Sequence, residues 1–261
     1  MIRPTAAPQA PLRLPQPPGG VWLTGAGTGI GAALAHTFAA AGWPVTASGR
    51  RQEPLQALAA RVPGCVPVPL DVTDRAAVQA AVSAMAPSLP TLAVLCAGTH
   101  HPTPATAFSA AGVRDLIDTN LMGIVHCVEA LLPLYLARGQ GHLVLVASVA
   151  GYRGLPTAAG YCASKAAVIA LAESLRLDLA DTGVQVTVVN PGFVDTPLTQ
   201  QNPFPMPDLI TAEAAAAQIV RGLEQGGFEI AFPRRFATAM KLLRILPDRW
   251  YFSAVRRFTG L

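Results

Sequence analysis

Val21-Trp22-Leu23-Thr24-Gly25-Ala26-Gly27-Thr28-Gly29-Ile30-Gly31 is the stretch on which the fold turns. Its first four residues read as a short buried strand, the glycines as a tight turn, and the Ala-rich segment 30–41 as a helix. A strand, a glycine-rich turn and a helix N-terminus make an anion site. Free N–H groups and the helix dipole attract negative charge, and glycine lets the backbone come close to it. The glycines admit two readings, Gly27-x-Gly29-x-x-Ala32 or Thr24-Gly25-x-x-x-Gly29-x-Gly31. A βα turn that merely tolerates glycine would carry the same letters.

Working outward, the alternation repeats. Further strands are expected at 44–48, 65–69, 92–96, 142–148, 184–190 and 228–232. Helices are expected at 54–61, 75–86, 113–138, 161–181 and 212–224. Thr73, Asp74 and Thr211 mark helix starts, and Gly183 is placed to cap a helix C-terminus. Strands alternating with helices imply parallel pairing with crossovers on both faces. The expected fold is α/β, a Rossmann-type doubly wound parallel sheet of about seven strands. It forms a single domain over 20–232 with a helical extension over 233–261. Residues 1–19 read as a flexible proline-rich tail.

The end of the second strand, Ala47-Ser48-Gly49-Arg50-Arg51, discriminates between two cofactors. In dinucleotide folds an acid near this point holds a ribose 2′-hydroxyl, whereas an arginine accommodates a 2′-phosphate. Gly49 stands at that point, Arg50 follows, and no acid comes before Glu53. A guanidinium grips phosphate in bidentate fashion, so NADP(H) is favoured over NAD(H). Read blandly, Arg50 and Arg51 are a solvated loop pair.

Ser148 ends the fifth expected strand, and Tyr161 and Lys165, four apart, share one helix face. Such pairs often decorate surfaces. Here 17 of the 19 basic residues are arginine, and Lys165 and Lys241 are the only lysines. The position therefore points to a compact ammonium rather than a planar guanidinium.

Thr24-Gly25-x-x-x-Gly29-x-Gly31, Asp71-Val72, Asn120, Ser148, Tyr161-x-x-x-Lys165, and Asn190-Pro191-Gly192 with Thr196 follow in that order. With them the sequence resembles the short-chain dehydrogenase/reductase family over 20–232. The resemblance implies an oxidoreductase that moves a hydride between nicotinamide and a carbonyl/alcohol pair. It implies Tyr161 as general acid/base, Ser148 fixing the carbonyl oxygen, Lys165 holding the nicotinamide ribose and lowering the Tyr161 pKa, and Asn120 anchoring a water that refills the proton. Cofactor contacts are implied for Gly25, Thr28, Gly29, Ile30, Gly31, Arg50, Asp71, Val72, Ala97, Gly98, Tyr161, Lys165, Pro191, Gly192, Val194 and Thr196. A homodimer or homotetramer is implied by the resemblance alone. The rivals are an NAD(H)-dependent alcohol dehydrogenase of the same family and a non-catalytic dinucleotide-binding sensor or scaffold, which would normally relax Ser148, Tyr161 or Lys165.

The sequence departs from the family at Leu95-Cys96-Ala97-Gly98, where Asn-Ala-Gly is usual. Cys96 reads as a buried thiol rather than a reactive one. His100 and His101 lie in a Pro-rich loop without other ligands at metal spacing, so no metal site is expected, though they could border the substrate. The segment 192–210, with Phe193, Leu198, Phe204, Met206 and Leu209, reads either as a lid favouring an apolar carbonyl or as a Pro-stiffened surface loop.

Of the 261 residues, 51% are hydrophobic and 13% charged, which excludes overall disorder. Four scattered cysteines without metal spacing fit a reduced, cytoplasmic chain. The net charge of +4 is uneven: residues 230–261 hold seven Arg/Lys against one Asp, and the remainder nets −2. A nucleic-acid partner is accordingly disfavoured. The basic aromatic extension reads first as packing on the domain or a partner subunit, and second as a contact for an anionic membrane.

Overall fold

The computed structural model describes residues 19–200 and 206–259. The tail 1–18 and Phe204 lie outside the described residues. Strands β1 (Val21–Thr24), β2 (Val45–Gly49), β3 (Cys65–Pro69), β4 (Leu92–Leu95), β5 (Gly141–Val146), β6 (Val184–Pro191) and β9 (Glu229–Phe232) form one seven-stranded sheet, ordered β3-β2-β1-β4-β5-β6-β9 and parallel throughout. Central strands β1, β4 and β5 are buried at every position, as strands covered on both faces must be. Helices α1 (Gly29–Ala40), α2 (Gln52–Ala59), α3 (Arg75–Met85), α4 (Ala110–Ile117), α5 (Gly123–Arg138), α6 (Ala159–Asp178) and α7 (Ala212–Gln225) cover the sheet. Two apolar cores result, one around Leu34, Phe38 and Ile219, the other around Leu131, Tyr135 and Val168. Strands β7 (Val194–Asp195) and β8 (Ile210–Thr211) pair separately, tying down the two ends of the loop after β6. The chain reverses direction across the sheet between β1 and β4, where doubly wound folds open a crevice.

The caps follow the sequence at two helices: Asp74 accepts from Ala77 N and Thr211 from Ala214 N. Elsewhere the structure corrects the reading. The one helix expected over 113–138 is two, α4 and α5, joined by a π-turn at Asp118–Met122 in which Gly123 N reaches back to Asp118 O. The inserted residue breaks the helical phase, as π-bulges do, and Asn120 within it is fully buried. This helical stretch has the length and hydropathy of a membrane span, yet Ile124, Cys127, Leu131 and Tyr135 are core residues. Gly183 is not a helix cap either: α6 ends at Asp178. Gly183 instead passes Gly139 so closely that a Cβ would stand 1.7 Å from Gly139 O.

Buried His142 on β5 makes folding sensitive to acid. Its Nε2 lies 3.0 Å from Thr187 Oγ1, and burial pushes its pKa down to about 4. The folded chain therefore keeps His142 neutral while the unfolded chain protonates it below about 6.5. Stability should fall as pH drops from about 6.5 to about 4, by roughly 3 kcal/mol from this group. Denaturant midpoints at pH 7.5 and 5 should differ less in His142→Gln than in the parent.

Helix α8 (Arg234–Ile245) packs against edge strand β9 and buries Ala237 and Met240 in the core, while α9 (Asp248–Thr259) buries Tyr251 and Val255. Arg153 clasps them. Its guanidinium donates to the carbonyls of Leu243, Arg244 and Leu246, pairs with Asp248, and lies 3.9 Å from the Tyr251 ring centroid. Those carbonyls end α8, where a cation is favoured by the helix dipole. Tyr251 OH donates to Gly154 O. Lys241 pairs with Glu229, whose carboxylate also accepts from Tyr152 OH and Asn190 Nδ2.

Candidate active site

A cleft of about 610 Å³ opens at the carboxyl ends of the strands. The glycine-rich turn forms its floor and resolves the two readings of the sequence. Gly25 adopts φ +67°, and a Cβ there would lie 2.8 Å from Ala97 Cα across the β1/β4 reversal. A Cβ on Gly31 would stand 2.4 Å from Gly25 O. At Gly27, by contrast, the nearest atom to a Cβ is 3.4 Å away, on Pro54. The demanding positions belong to Thr24-Gly25-x-x-x-Gly29-x-Gly31. Thr28 caps α1 in an extended conformation without spending its side chain on the first turn. The helix N–H groups thus face the cleft beside Gly29, Ile30 and Gly31.

The remaining walls are chemically distinct. Gly49, Arg50 and Arg51, at the end of β2, form one end. Asp71 and Val72, after the edge strand β3, wall the same end, and Ala97 and Gly98 after β4 form the middle. Ser148, Tyr161, Lys165, Pro191, Gly192, Val194 and Thr196 form the other end. The set fits a dinucleotide: glycines that leave backbone donors bare for a pyrophosphate, two arginines at one end, and hydroxyls with an ammonium at the other.

Ser148 is buried at the start of the strand-to-helix link after β5. Its Oγ donates to Pro191 O at 3.3 Å and accepts from Ala150 N at 3.1 Å. Tyr161 lies in the first turn of α6, and His100 packs edge-on against its ring with centroids 4.7 Å apart. Burial pushes the Tyr161 phenol up to about 12, with the Ser148 hydroxyl working the other way. Lys165 is buried, lies 5.8 Å from the Tyr161 ring centroid, and donates to Val146 O at 3.0 Å. Burial pushes its ammonium down to about 8. Burial shifts both groups toward their neutral forms.

Asn120 does not line the cleft. Its Oδ1 accepts from Thr99 N at 2.7 Å, and its Nδ2 donates to Thr99 O and Ser164 Oγ, both at 3.0 Å. A Cβ on Gly98 would meet Asn120 Oδ1 at 3.2 Å and Lys165 Nζ at 3.5 Å, so the turn, the amide and the ammonium interlock. Sequence reasoning missed Ser164 and Thr99. Ser164 was detectable, because it lies three residues after Tyr161 on the same helix. Cys96 lines the cleft as a thiol that burial pushes up to about 11. His101 turns away to pair with Asp115 at 3.2 Å. Of the apolar loop residues, Leu198 lines the cleft, Phe193 stacks on Phe236 with centroids 5.4 Å apart, and Leu209 is exposed.

Comparison with known proteins agrees with this geometry. The family model described as short chain dehydrogenase matches residues 20–204. An uncharacterized oxidoreductase of Myxococcus xanthus is 41% identical over 242 residues, covering 90% of this chain and 95% of that protein. A sulfoacetaldehyde reductase of Chromohalobacter salexigens is 41% identical over 186 residues, covering 69% and 74%. Among solved structures, a short chain dehydrogenase from Burkholderia cenocepacia in complex with NADP superposes with a TM-score of 0.78 at 29% identity, covering 90% of this chain and 95% of that one.

Proposed function

The chain belongs to the short-chain dehydrogenase/reductase family and is an NAD(P)-dependent oxidoreductase, and on that premise we propose that it reduces a carbonyl to an alcohol with NADP(H). The observation that carries this reading is the meeting of Ser148, Tyr161 and Lys165 at one end of a cleft whose other end holds Arg50 and Arg51. When bound, the dinucleotide supplies the hydride. Gly25, Thr28, Gly29, Ile30 and Gly31 would hold its pyrophosphate, Arg50 its 2′-phosphate, Asp71, Val72, Ala97 and Gly98 its adenosine, and Lys165, Pro191, Gly192, Val194 and Thr196 its nicotinamide half.

Reduction requires a phenol that still has its proton. Burial keeps Tyr161 protonated at neutral pH, and the hydroxyl donates that proton to the carbonyl oxygen. Ser148 holds the same oxygen in place, its own orientation fixed by Pro191 O and Ala150 N. Asn120 acts through Thr99 and Ser164, holding the Gly98 turn beside Lys165. Leu198 in the cleft wall favours an apolar carbonyl. The likeness to a sulfoacetaldehyde reductase favours a second reading, a small anionic aldehyde.

An NADPH-oxidation screen across apolar ketones, quinones, 3-oxoacyl compounds and small anionic aldehydes tests the activity and separates the substrate readings. Arg50→Ala should weaken NADPH binding about tenfold or more, the loss of a charge-assisted phosphate contact, and leave NADH binding unchanged. Titrating both nucleotides into both proteins checks this, and unchanged NADPH affinity would defeat the assignment.

A further inference from the structure

The outer sides of α8 and α9 carry a surface that hydride transfer does not use. Leu242 and Ile245, one turn apart on α8, and Trp250, Phe252 and Phe258 on α9 are between 58% and 82% exposed. Ala237, Met240, Tyr251 and Val255 of the same helices are buried, so the inward faces are already packed and the exposed residues are not a displaced core. Arg234, Arg235, Arg244, Arg249 and Arg257 lie on these two helices, and none forms an ion pair among the described residues. They supply most of the basic excess of residues 230–261.

We propose that this face docks onto an anionic lipid surface. Charge complementarity selects the occupant. A second copy presenting the same face would set like charges against each other at close range. A nucleic-acid strand would meet the arginines but leave Leu242 and Ile245 with nothing apolar to cover them. A lipid interface satisfies both halves: guanidinium groups reach the headgroup phosphates while Trp, Phe, Leu and Ile side chains enter the acyl boundary. Arginine rather than lysine suits the task, because it is less strongly hydrated and forms paired hydrogen bonds to phosphate.

The chain carries its own reporter. Trp22 and Trp43 are buried, so of the three tryptophans only Trp250 is exposed. Vesicles of phosphatidylcholine with phosphatidylglycerol, and of phosphatidylcholine alone, are titrated into the full-length protein while tryptophan emission and co-sedimentation are followed. The expected result is a blue shift and pelleting with the anionic vesicles, fading as salt is raised well above physiological strength, and neither with the neutral ones. Phe252→Ser/Phe258→Ser should lower partitioning at least about tenfold. Arg249→Gln and Arg257→Gln should each lower it about fivefold. NADPH affinity should stay unchanged in every variant, because none of these residues lines the cleft. Absence of shift and pelleting with anionic vesicles overturns the proposal, and so does equal binding to neutral ones. A concentration-dependent mass that collapses in Phe252→Ser/Phe258→Ser would also overturn it, assigning the face to a second copy. None of these readouts depends on turnover, so failure here leaves the carbonyl-reductase reading standing.

Discussion

Tyr161→Phe should lower kcat by about 10²–10⁴-fold, equivalent to roughly 3–5 kcal/mol of transition-state stabilisation, with NADPH affinity nearly unchanged. The substitution removes one hydroxyl and keeps the ring. The edge-on contact with His100 survives, and Ser148 retains Pro191 O and Ala150 N as partners. Folding stability should hold, since the lost group is a hydroxyl that burial already disfavours in its charged form. What disappears is the proton that the carbonyl oxygen takes as the hydride arrives. Following NADPH absorbance with the best substrate from the screen measures the rate, and a fluorescence titration measures binding. A variant that turns over at the parental rate would remove Tyr161 from the chemistry.

The second large effect is expected at Lys165. Lys165→Met should cost about 10²-fold or more in kcat/KM through lost positioning of the nicotinamide ribose and lost charge beside the reacting oxygen. Its effect on stability should be small by comparison. The methionine relieves a buried ammonium, while Val146 O loses its donor. The two terms oppose each other, leaving a net change of about 1 kcal/mol in either direction. Activity falling while the denaturation midpoint stays put is the signature sought. The parent enzyme should also show an alkaline limb. Burial lowers the Lys165 pKa to about 8, so the ammonium is present below that pH and lost above it. Tyr161, pushed up to about 12, remains an acid throughout. The reduction rate should therefore decline as pH rises through about 8. A flat profile from pH 6 to 10 would take Lys165 out of the rate-determining machinery.

The periodicity of the sequence is sufficient to place all seven sheet strands within about two residues of their ends, most plainly at the central β1, β4 and β5, because strands buried on both faces are written as unbroken apolar runs. The glycine-rich turn was legible as an anion site but not as one motif. Which glycines are obligatory depends on Ala97 and Gly25 O, and the first of these is far away in sequence. The π-turn at Asp118–Met122 left no trace, since local letters do not encode one inserted residue. The pairing of Tyr161 with Lys165 is legible from spacing, but the burial that shifts both groups toward their neutral forms depends on the whole fold. The clasp of Arg153 on α8 and α9 was invisible for the same reason: its partners are backbone carbonyls, which every residue has. The two lysines differ in how far the sequence places them. Spacing alone sets Lys165 beside Tyr161, whereas the role of Lys241 depends on Glu229, the carboxylate on which Lys241, Tyr152 and Asn190 converge.

That clasp bears on the order in which the molecule can be completed. Arg153 and Gly154 sit in the link between Ser148 and Tyr161, and their partners run from Leu243 to Tyr251, near the end of the described chain. Synthesis proceeds from the N-terminus, so the glycine-rich turn and the first strands can assemble while the link after β5 still has no clasp to hold it. The nucleotide half of this enzyme can form during translation before the residues that clasp the link of its reacting half, Leu243 to Tyr251, have been made.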